Sequence, residues 1–460
     1  MRALWMKALM LPAVLLSGCS LVVGGFEECT QDGDCEGGRI CQTGYCVVDP
    51  VPEGCGRTEG AVDVEGAMPL GAALPLTPDG QTDQSEVMGL NALLIGLDEV
   101  NQRDPFVLHV CDSAGDPQRV QAQVTWLTEQ MGAKAVVTSG SGQTIAAASA
   151  AVPLGTLVMT ATATSPELTV LQDQGLVWRT APSDAIQGAV IADLLLNGTA
   201  YFDASSVQKV GLVSLNDPYG QGLTAVLIDA FEGQTKTLST HQYERAGSID
   251  NIIDALDAAD PDVTVLVAFP DDAARILNAA TTRANLAPVS GHRWFFTDSA
   301  KDPALMRGLT TNGQIEGALG TAPAQGAGPA YTQFATSFVS RFRVDPAQFS
   351  FTSHSYDAMY LLALGSMWAK GADGTGEVTG ARIAEGLRQL SAGQALQFRP
   401  TDLTAMKAAL QQGQTIDVRG ASGELDFNPD TGEAPSPIEV WRVVGEGFET
   451  VEAGRQPPTP

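Results

Sequence analysis

The residues with the most chemical reach are hydroxyls, an aromatic and an acid placed at the ends of short apolar runs. Run 135–138 leads into Ser139-Gly140-Ser141-Gly142-Gln143-Thr144. Small residues let a backbone approach a ligand, and a helix beginning there offers free N–H groups with a partial positive charge. Ser141 adds a hydroxyl donor, so the turn suits a carboxylate. It has neither the Gly-Lys-Ser/Thr of a phosphate loop nor the spacing of a dinucleotide fingerprint, and such turns also occur with no ligand. Run 156–160 is followed by Ala161-Thr162-Ala163-Thr164-Ser165-Pro166, where helix capping is the competing role and the better one for Ser165. Three later runs end in Asn216-Asp217-Pro218-Tyr219-Gly220, in Phe269-Pro270 and in Thr297-Asp298. An acid at 298 either pairs with a ligand ammonium or caps the next helix.

Catalysis finds little support. His109, His241, His292 and His354 are scattered and share no metal-ligand spacing. Gly140-Ser141-Gly142 is not a nucleophile elbow. No nucleophile–base pair can be named, so the reading is not an enzyme, with no cofactor and no metal.

The amino terminus reads as a targeting segment. Arg2 and Lys7 give it a positive start, and the apolar stretch 8–16 is too short to span a bilayer. Leu16-Ser17-Gly18-Cys19 follows, the small-residue-then-cysteine pattern of a lipobox. Cleavage would leave Cys19 first, acylated and anchored by several chains, since one chain alone binds marginally. Removing residues 1–18 takes the net charge from −27 to −29. An acidic surface of that size argues against nucleic acid as a partner.

Six cysteines remain, Cys29, Cys35, Cys41, Cys46, Cys55 and Cys111. In an exported chain they read as disulfides, with fifteen possible pairings. Four lie within a stretch too poor in apolar residues to make a core, so cross-links must hold it. The preferred arrangement is a crossed 29–41 and 35–46 pair, leaving Cys55 with Cys111; a metal site is the weaker alternative.

The elements that must position the loops follow from hydropathy. Residues 47–66 are rich in Pro, Gly and acid and read as a linker. Short apolar strands then alternate with helices. Strands are expected at 72–76, 106–110, 135–138, 156–160, 177–179, 210–214, 263–268, 294–297, 315–320, 424–427 and 438–444. Helices are expected on the stripe Val87, Leu90, Leu94, Leu97, on 120–131, and at 184–197, 222–231, 271–282, 330–343 and 355–370. Such alternation indicates parallel sheets covered on both faces. The strands are too many for one sheet, so the fold class is α/β with two doubly wound lobes and a small disulfide-rich segment ahead of them. In open sheets of this kind ligands bind beyond the carboxyl ends of the strands, where all the loops above lie.

Taken in order, those loops resemble the type I periplasmic solute-binding proteins, specifically the leucine/isoleucine/valine-binding family of ABC importers. The stretch 136–188, the Asp217-Pro218-Tyr219-Gly220-Gln221-Gly222 turn, His354-Ser355-Tyr356-Asp357-Ala358 and Gly423-Glu424-Leu425-Asp426-Phe427 carry the resemblance. It implies two lobes joined by three crossovers with ligand trapped between them. Lobe 1 is expected at 66–184 and 318–412, lobe 2 at 185–317 and 413–452, with 453–460 a disordered tail. The resemblance also implies that Ser141 and Thr164 hold an amino acid carboxylate, that Thr162 contributes backbone contacts, and that Tyr219 closes over the ligand. Asp298 would take the ammonium and Phe269 would be a further aromatic contact. The first loop, Leu74 to Asp79, departs from the family pattern, as does the cysteine-rich segment. Expected partners are an amino acid, an ABC permease or another envelope protein, and a membrane touched only through lipid. A sensor or synthase-activating lipoprotein is the alternative. Ser20 is not the aspartate that retains lipoproteins at the inner membrane, so which membrane stays open. Radiolabelled palmitate should enter the wild-type chain and not Cys19→Ser; label in the variant would contradict the lipobox reading.

Overall fold

The computed structural model describes residues 28–31, 34–35, 39–48, 51–245, 247–371 and 376–458. The targeting segment and the lipidation expected at Cys19 lie outside them. The chain divides into two compact units, one up to Pro50 and one from Val51. No helix among the described residues is long and apolar enough to cross a membrane.

In the first unit β1 (Arg39–Gln42) pairs antiparallel with β2 (Tyr45–Val48), placing Cys41 opposite Cys46. The two-residue turn holds Thr43 and Gly44 at φ 53° and 88°, the mirror-image turn that matches the twist of a hairpin. Disulfides join Cys29 to Cys41 and Cys35 to Cys46, the crossed arrangement expected. The sulfurs of Cys29, Cys35 and Cys46 lie within 4.8 Å of one another. All three are in disulfides, so none is the thiolate a metal needs.

The second unit begins with β3 (Arg57–Gly60), β4 (Met68–Leu74), α1 (Gln84–Val100), β5 (Phe106–Asp112), α2 (Pro117–Glu129), β6 (Ala135–Thr138), α3 (Ser141–Ala151), β7 (Leu157–Thr160) and β8 (Val177–Arg179). These strands form one sheet in the order β3-β5-β4-β6-β7-β8, parallel except at β3. Cys55, just ahead of β3, is bonded to Cys111 in β5. The chain then crosses through α4 (Asp184–Asn197) to β9 (Lys209–Leu215), α5 (Pro218–Phe231), β10 (Thr237–Tyr243), α6 (Asp250–Ala259), β11 (Val263–Val267), α7 (Pro270–Ala280), β12 (Arg293–Phe296), α8 (Pro303–Gly308) and β13 (Leu319–Pro323). It returns for α9 (Pro329–Phe342), α10 (Thr352–Gly371), α11 (Gly380–Leu387), β14 (Gln394–Gln397), α12 (Leu403–Gln411) and β15 (Ile416–Arg419). A third crossing leads to β16 (Ile438–Val444) and β17 (Gly447–Arg455). The second sheet runs β10-β9-β11-β12-β13-β16-β17, parallel as far as β13 and antiparallel beyond it.

β6, β7 and β11 are buried at every position, which is why they read as unbroken apolar runs rather than alternating ones. The first lobe is held from one face by α10, buried along almost its whole length and packed on α1. Tyr356 of α10 donates a 2.6 Å hydrogen bond to Glu99 of α1, and Tyr360 donates to the same oxygen.

Several sequence expectations need correction. The supposed linker 47–66 contains β3, an edge strand with two partly covered residues that shows too little hydropathy to stand out. Residues 318–323 lie in the second lobe, because β13 hydrogen-bonds to β12 and β16. Residues 413–434 lie in the first, where β15 pairs with β14 and Ile416, Val418, Ala421, Leu425, Phe427 and Ala434 enter its core. Residues 424–427 form no strand. Two helices not among those expected, α11 and α12, lie between α10 and β15. The tail expected from 453 begins inside β17, whose last residue, Arg455, is ion-paired with Asp193 and Glu452.

The first-lobe loop after β15, from which the chain makes its third crossing, is fastened by Asp357 of α10. Its carboxylate accepts from Ala421 N and Ser422 N, each at 2.7 Å, and from Ser422 Oγ at 2.6 Å. Asp357→Ala leaves buried donors unmet at roughly 1–3 kcal/mol each. A loss of about 3 kcal/mol is expected in urea unfolding, and a loss below about 1 kcal/mol would contradict this role.

Candidate functional site

Renumbered from its own first strand, the parallel part of each sheet has the order 2-1-3-4-5: β5-β4-β6-β7-β8 in one lobe and β10-β9-β11-β12-β13 in the other. In such a sheet the helices leave to opposite faces on either side of strand 1, opening a crevice between the loops after strands 1 and 3. Those loops are Pro75–Asp83 and Ser139–Gly140 in the first lobe, and the turns at Asn216–Asp217 and Ala268–Phe269 in the second. The two crevices face each other across one cavity. About 920 Å³ of space, open mouth included, is lined from both lobes.

In the first lobe Asp112 at the end of β5 organises the loop after β4. Its Oδ1 accepts from Leu76 N (2.9 Å) and Thr77 N (3.2 Å), and its Oδ2 accepts from the Thr77 hydroxyl. The loop delivers Asp83, which caps α1 by accepting from Glu86 N at 3.1 Å. The Asp83-x-x-Glu86 spacing is that of a capping box, yet the Glu86 side chain lines the cavity instead of folding back. A relay of hydroxyls leads to it. Gly140 N donates to Thr162 Oγ1 (2.7 Å), Thr162 and Ser139 hydroxyls lie 2.7 Å apart, and Ser139 Oγ donates to Glu86 Oε1 at 2.5 Å. Beside them α3 begins at Ser141 with no side-chain cap on its N-terminus, and Ser141 Oγ accepts from Ser165 N at 3.2 Å.

In the second lobe Tyr219 sits in the first turn of α5, capped by Asp217, which accepts from Gly220 N at 2.8 Å. A Cβ at Gly220 would fall 2.0 Å from Leu215 O, so only glycine lets α5 start this close to β9. Tyr219 OH donates to Asp298 Oδ1 (2.8 Å) and lies 2.9 Å from Thr297 Oγ1 and 3.1 Å from Ser299 Oγ. Gln187 Nε2 donates to the same Asp298 oxygen at 2.9 Å. Phe269 packs against Tyr219 with ring centroids 6.1 Å apart, and the Arg245 guanidinium lies over the Phe269 ring, 4.8 Å from its centroid.

The lobes meet on both flanks of the cavity. Ser85 Oγ of α1 donates to Asp302 Oδ2 at 2.6 Å. On the other flank a Cβ at Gly222 would lie 2.8 Å from Pro166 and 2.9 Å from Ser165, so glycine permits α5 to close on the first lobe.

Ser141, Thr162, Tyr219, Phe269 and Asp298 therefore line one cavity. Thr164 does not. It is fully buried, and its hydroxyl donates to Asp184 Oδ2 at 3.0 Å, fastening the crossing between lobes; a carboxylate-binding role for its side chain is corrected to a structural one. Sequence reading missed Asp83, Glu86, Ser139 and Lys301 at the lining. Asp83 and Glu86 had a visible signal, an N-cap spacing ahead of the Val87–Leu97 stripe at a strand's carboxyl end. Lys301 brings no free charge, because its ammonium pairs with Glu439 and both are buried.

Burial sets the protonation here. Desolvation, followed by the charge of Asp83, pushes Glu86 up to about 8, while the Ser139 hydrogen bond opposes the rise. Desolvation, with Asp302 adding, lifts Asp83 to about 6. Asp298 and its neighbour Asp184 are raised by desolvation first, and Asp184 further by the charge of Asp298. A raised carboxyl makes the folded state hold a proton the unfolded chain has released. The stability Glu86 adds this way is complete below about pH 4.5 and disappears as pH rises through about 8. In a 13C-carboxyl titration Glu86 should show a midpoint near pH 8, and Ser139→Ala should raise it. A midpoint near 4.5 would contradict the desolvated site.

The sequence profile described as "Receptor family ligand binding region" matches residues 90–446. No curated protein sequence matches the chain. Among solved structures, a leucine binding protein from Thermotoga maritima superposes with a TM-score of 0.68 at 16% identity, covering 85% of this chain and 99% of that one. A branched-chain amino acid transporter substrate binding protein from Streptococcus pneumoniae, in complex with isoleucine, gives 0.66 at 15% identity over 84% and 99%. A solute binding protein of an ABC transporter from Rhodopseudomonas palustris, in complex with 3,4-dihydroxy benzoic acid, gives 0.65 at 13% over 85% and 99%.

Proposed function

We propose that this chain, which belongs to the receptor ligand-binding-region family, is an extracytoplasmic solute-binding lipoprotein that captures an amino acid or similar small polar ligand for an ABC importer. Its fold is that of the type I periplasmic binding proteins. The observation that carries the reading is the pairing of unlike ends across one cavity. An uncapped helix start with Ser141 stands on one lobe and the Tyr219–Asp298 acid on the other. The first end favours a carboxylate through backbone N–H groups and the helix dipole; the second favours an ammonium. A molecule carrying both groups a few bonds apart touches both lobes at once.

Bridging is what couples binding to shape. A ligand shifts the lobes towards closure only by binding the closed state better than the open one, and contacts from both lobes exist together only when it is closed. A permease then reads the closed surface, while Cys19, through its acyl chains, keeps the protein at a membrane. Relatives of this fold bind amino acids and also an aromatic acid, so the ligand follows from the residues of the cleft and not from the fold.

A second reading, a lipoprotein that senses ligand for a partner protein, is favoured by the disulfide-bonded unit ahead of the binding body, which lies outside the residues matched by the family profile. Thermal unfolding against amino acids, amides and small carboxylates tests both. A ligand at a hundred times its Kd should stabilise by about 2.7 kcal/mol, and Ser141→Ala and Asp298→Ala should each weaken it. No stabilisation by any of these solutes would remove solute capture and leave the partner-protein reading.

A further inference from the structure

The ionisable groups around the cavity are almost all of one sign. Asp83 and Glu86 line it from the first lobe and Asp298 from the second. The lining cation, Lys301, is already neutralised by Glu439. One carboxylate, Asp298, is sufficient for one ammonium, which leaves the acid of the first lobe without a function in the reading above. Glu86 is not there to close its own helix, since Asp83 does that. Its carboxylate takes one hydrogen bond among the described residues, from Ser139, and that hydroxyl is aligned by Thr162 and Gly140. Three groups thus hold one oxygen of Glu86 in place at the cavity wall. Around it the lining is apolar, with Leu90, Leu93, Val137 and Phe349.

We propose that the ligand is a basic amino acid, its α-ammonium held at Asp298, its carboxylate at the start of α3, and a second cation on its side chain held at Glu86. This rests on the amino acid reading of the same cleft and names the class. The chemistry of the wall selects it. An apolar side chain would close over the Glu86 carboxyl and offer it no hydrogen-bond partner in return, a desolvation cost with no compensation. An acidic side chain would meet Glu86 and Asp83 together. A methylene stem ending in an amine or guanidine packs on the leucines and valine and brings its charge to the carboxylate, the way long basic side chains ordinarily bury.

The groups facing Glu86 are Asp83 at the head of its own helix, Ser139 after β6, and Asp298, Tyr219 and the paired Lys301 across the cavity; Arg245 and Asp302 act on Asp83. A cation binds Glu86 in its ionised form, and burial holds the free carboxyl up to about 8. Binding of a basic amino acid should therefore strengthen from pH 6.5 to 8.5 and release a proton at neutral pH. A neutral ligand that accepts a hydrogen bond from protonated Glu86 would weaken over the same range.

Titration calorimetry on the full-length chain in detergent tests this with L-lysine, L-ornithine and L-arginine against L-leucine, L-isoleucine and L-glutamate. At least one basic probe should bind more than about tenfold tighter than leucine. Glu86→Gln should remove that preference, bringing the basic probe to within about threefold of leucine. Leucine or isoleucine binding as tightly as every basic probe overturns the basic ligand and leaves the amino acid cleft standing. Preference unchanged in a folded Glu86→Gln overturns the role of Glu86. Binding of none of the six by the wild type overturns both. The wild-type comparison decides the matter even where the variant fails to fold.

Discussion

Burying one carboxyl group where two lobes meet is the constraint around which this protein is arranged. Asp298 ends the central run of the second sheet and is almost without exposure. A buried carboxyl needs hydrogen bonds from every side, and each of its partners comes from a different element. Gln187 reaches it from α4, the first crossing helix, and Tyr219 from α5. Ser350, on the returning chain, donates to its backbone carbonyl at 2.7 Å. Holding this one residue therefore fixes the positions of two helices and one crossing. What remains free is an acid facing a cavity.

The opposite wall follows the same logic with different groups. There the sheet ends in small residues and hydroxyls, because the helix start at Ser141 must stay uncapped and approachable. Thr164, which might have joined them, is committed to Asp184 at the crossing. The cavity floor is aliphatic and aromatic, so the few polar groups act in a medium that weakens electrostatics little. That medium is also the cause of the raised carboxyls: the same desolvation that makes each acid costly when alone makes it selective for a countercharge.

Much of this was legible in the chain. Fully buried parallel strands announce themselves as apolar runs, so β6, β7, β9, β11 and β12 and the loops beyond them could be placed, and with them Ser141, Tyr219 and Asp298. The cysteine spacing led to the crossed pairs now seen at 29–41 and 35–46. Elements that draw stability from long-range contacts were illegible. β3 and β17 lie at sheet edges with mixed exposure, and β14 and β15 form a two-stranded sheet of four residues each. The lobe boundaries failed for the same reason: β13 and β15 are assigned to a lobe by their partners and not by anything in their own sequence. Glu86 escaped because a helix's first turn favours acids whether or not they serve a ligand. Only the Ser139 hydroxyl aimed at it, fifty-three residues away in sequence, separates the two cases.

A crystal structure of the complex with an amino acid that stabilises the protein is the most direct test of the cleft. The account predicts the ammonium within hydrogen-bond distance of the Asp298 carboxylate. It places the ligand carboxylate on the backbone N–H groups and hydroxyl at the start of α3, with both lobes touching one molecule. A ligand bound to one lobe alone, or lying in the cavity with neither group at those two ends, would contradict it.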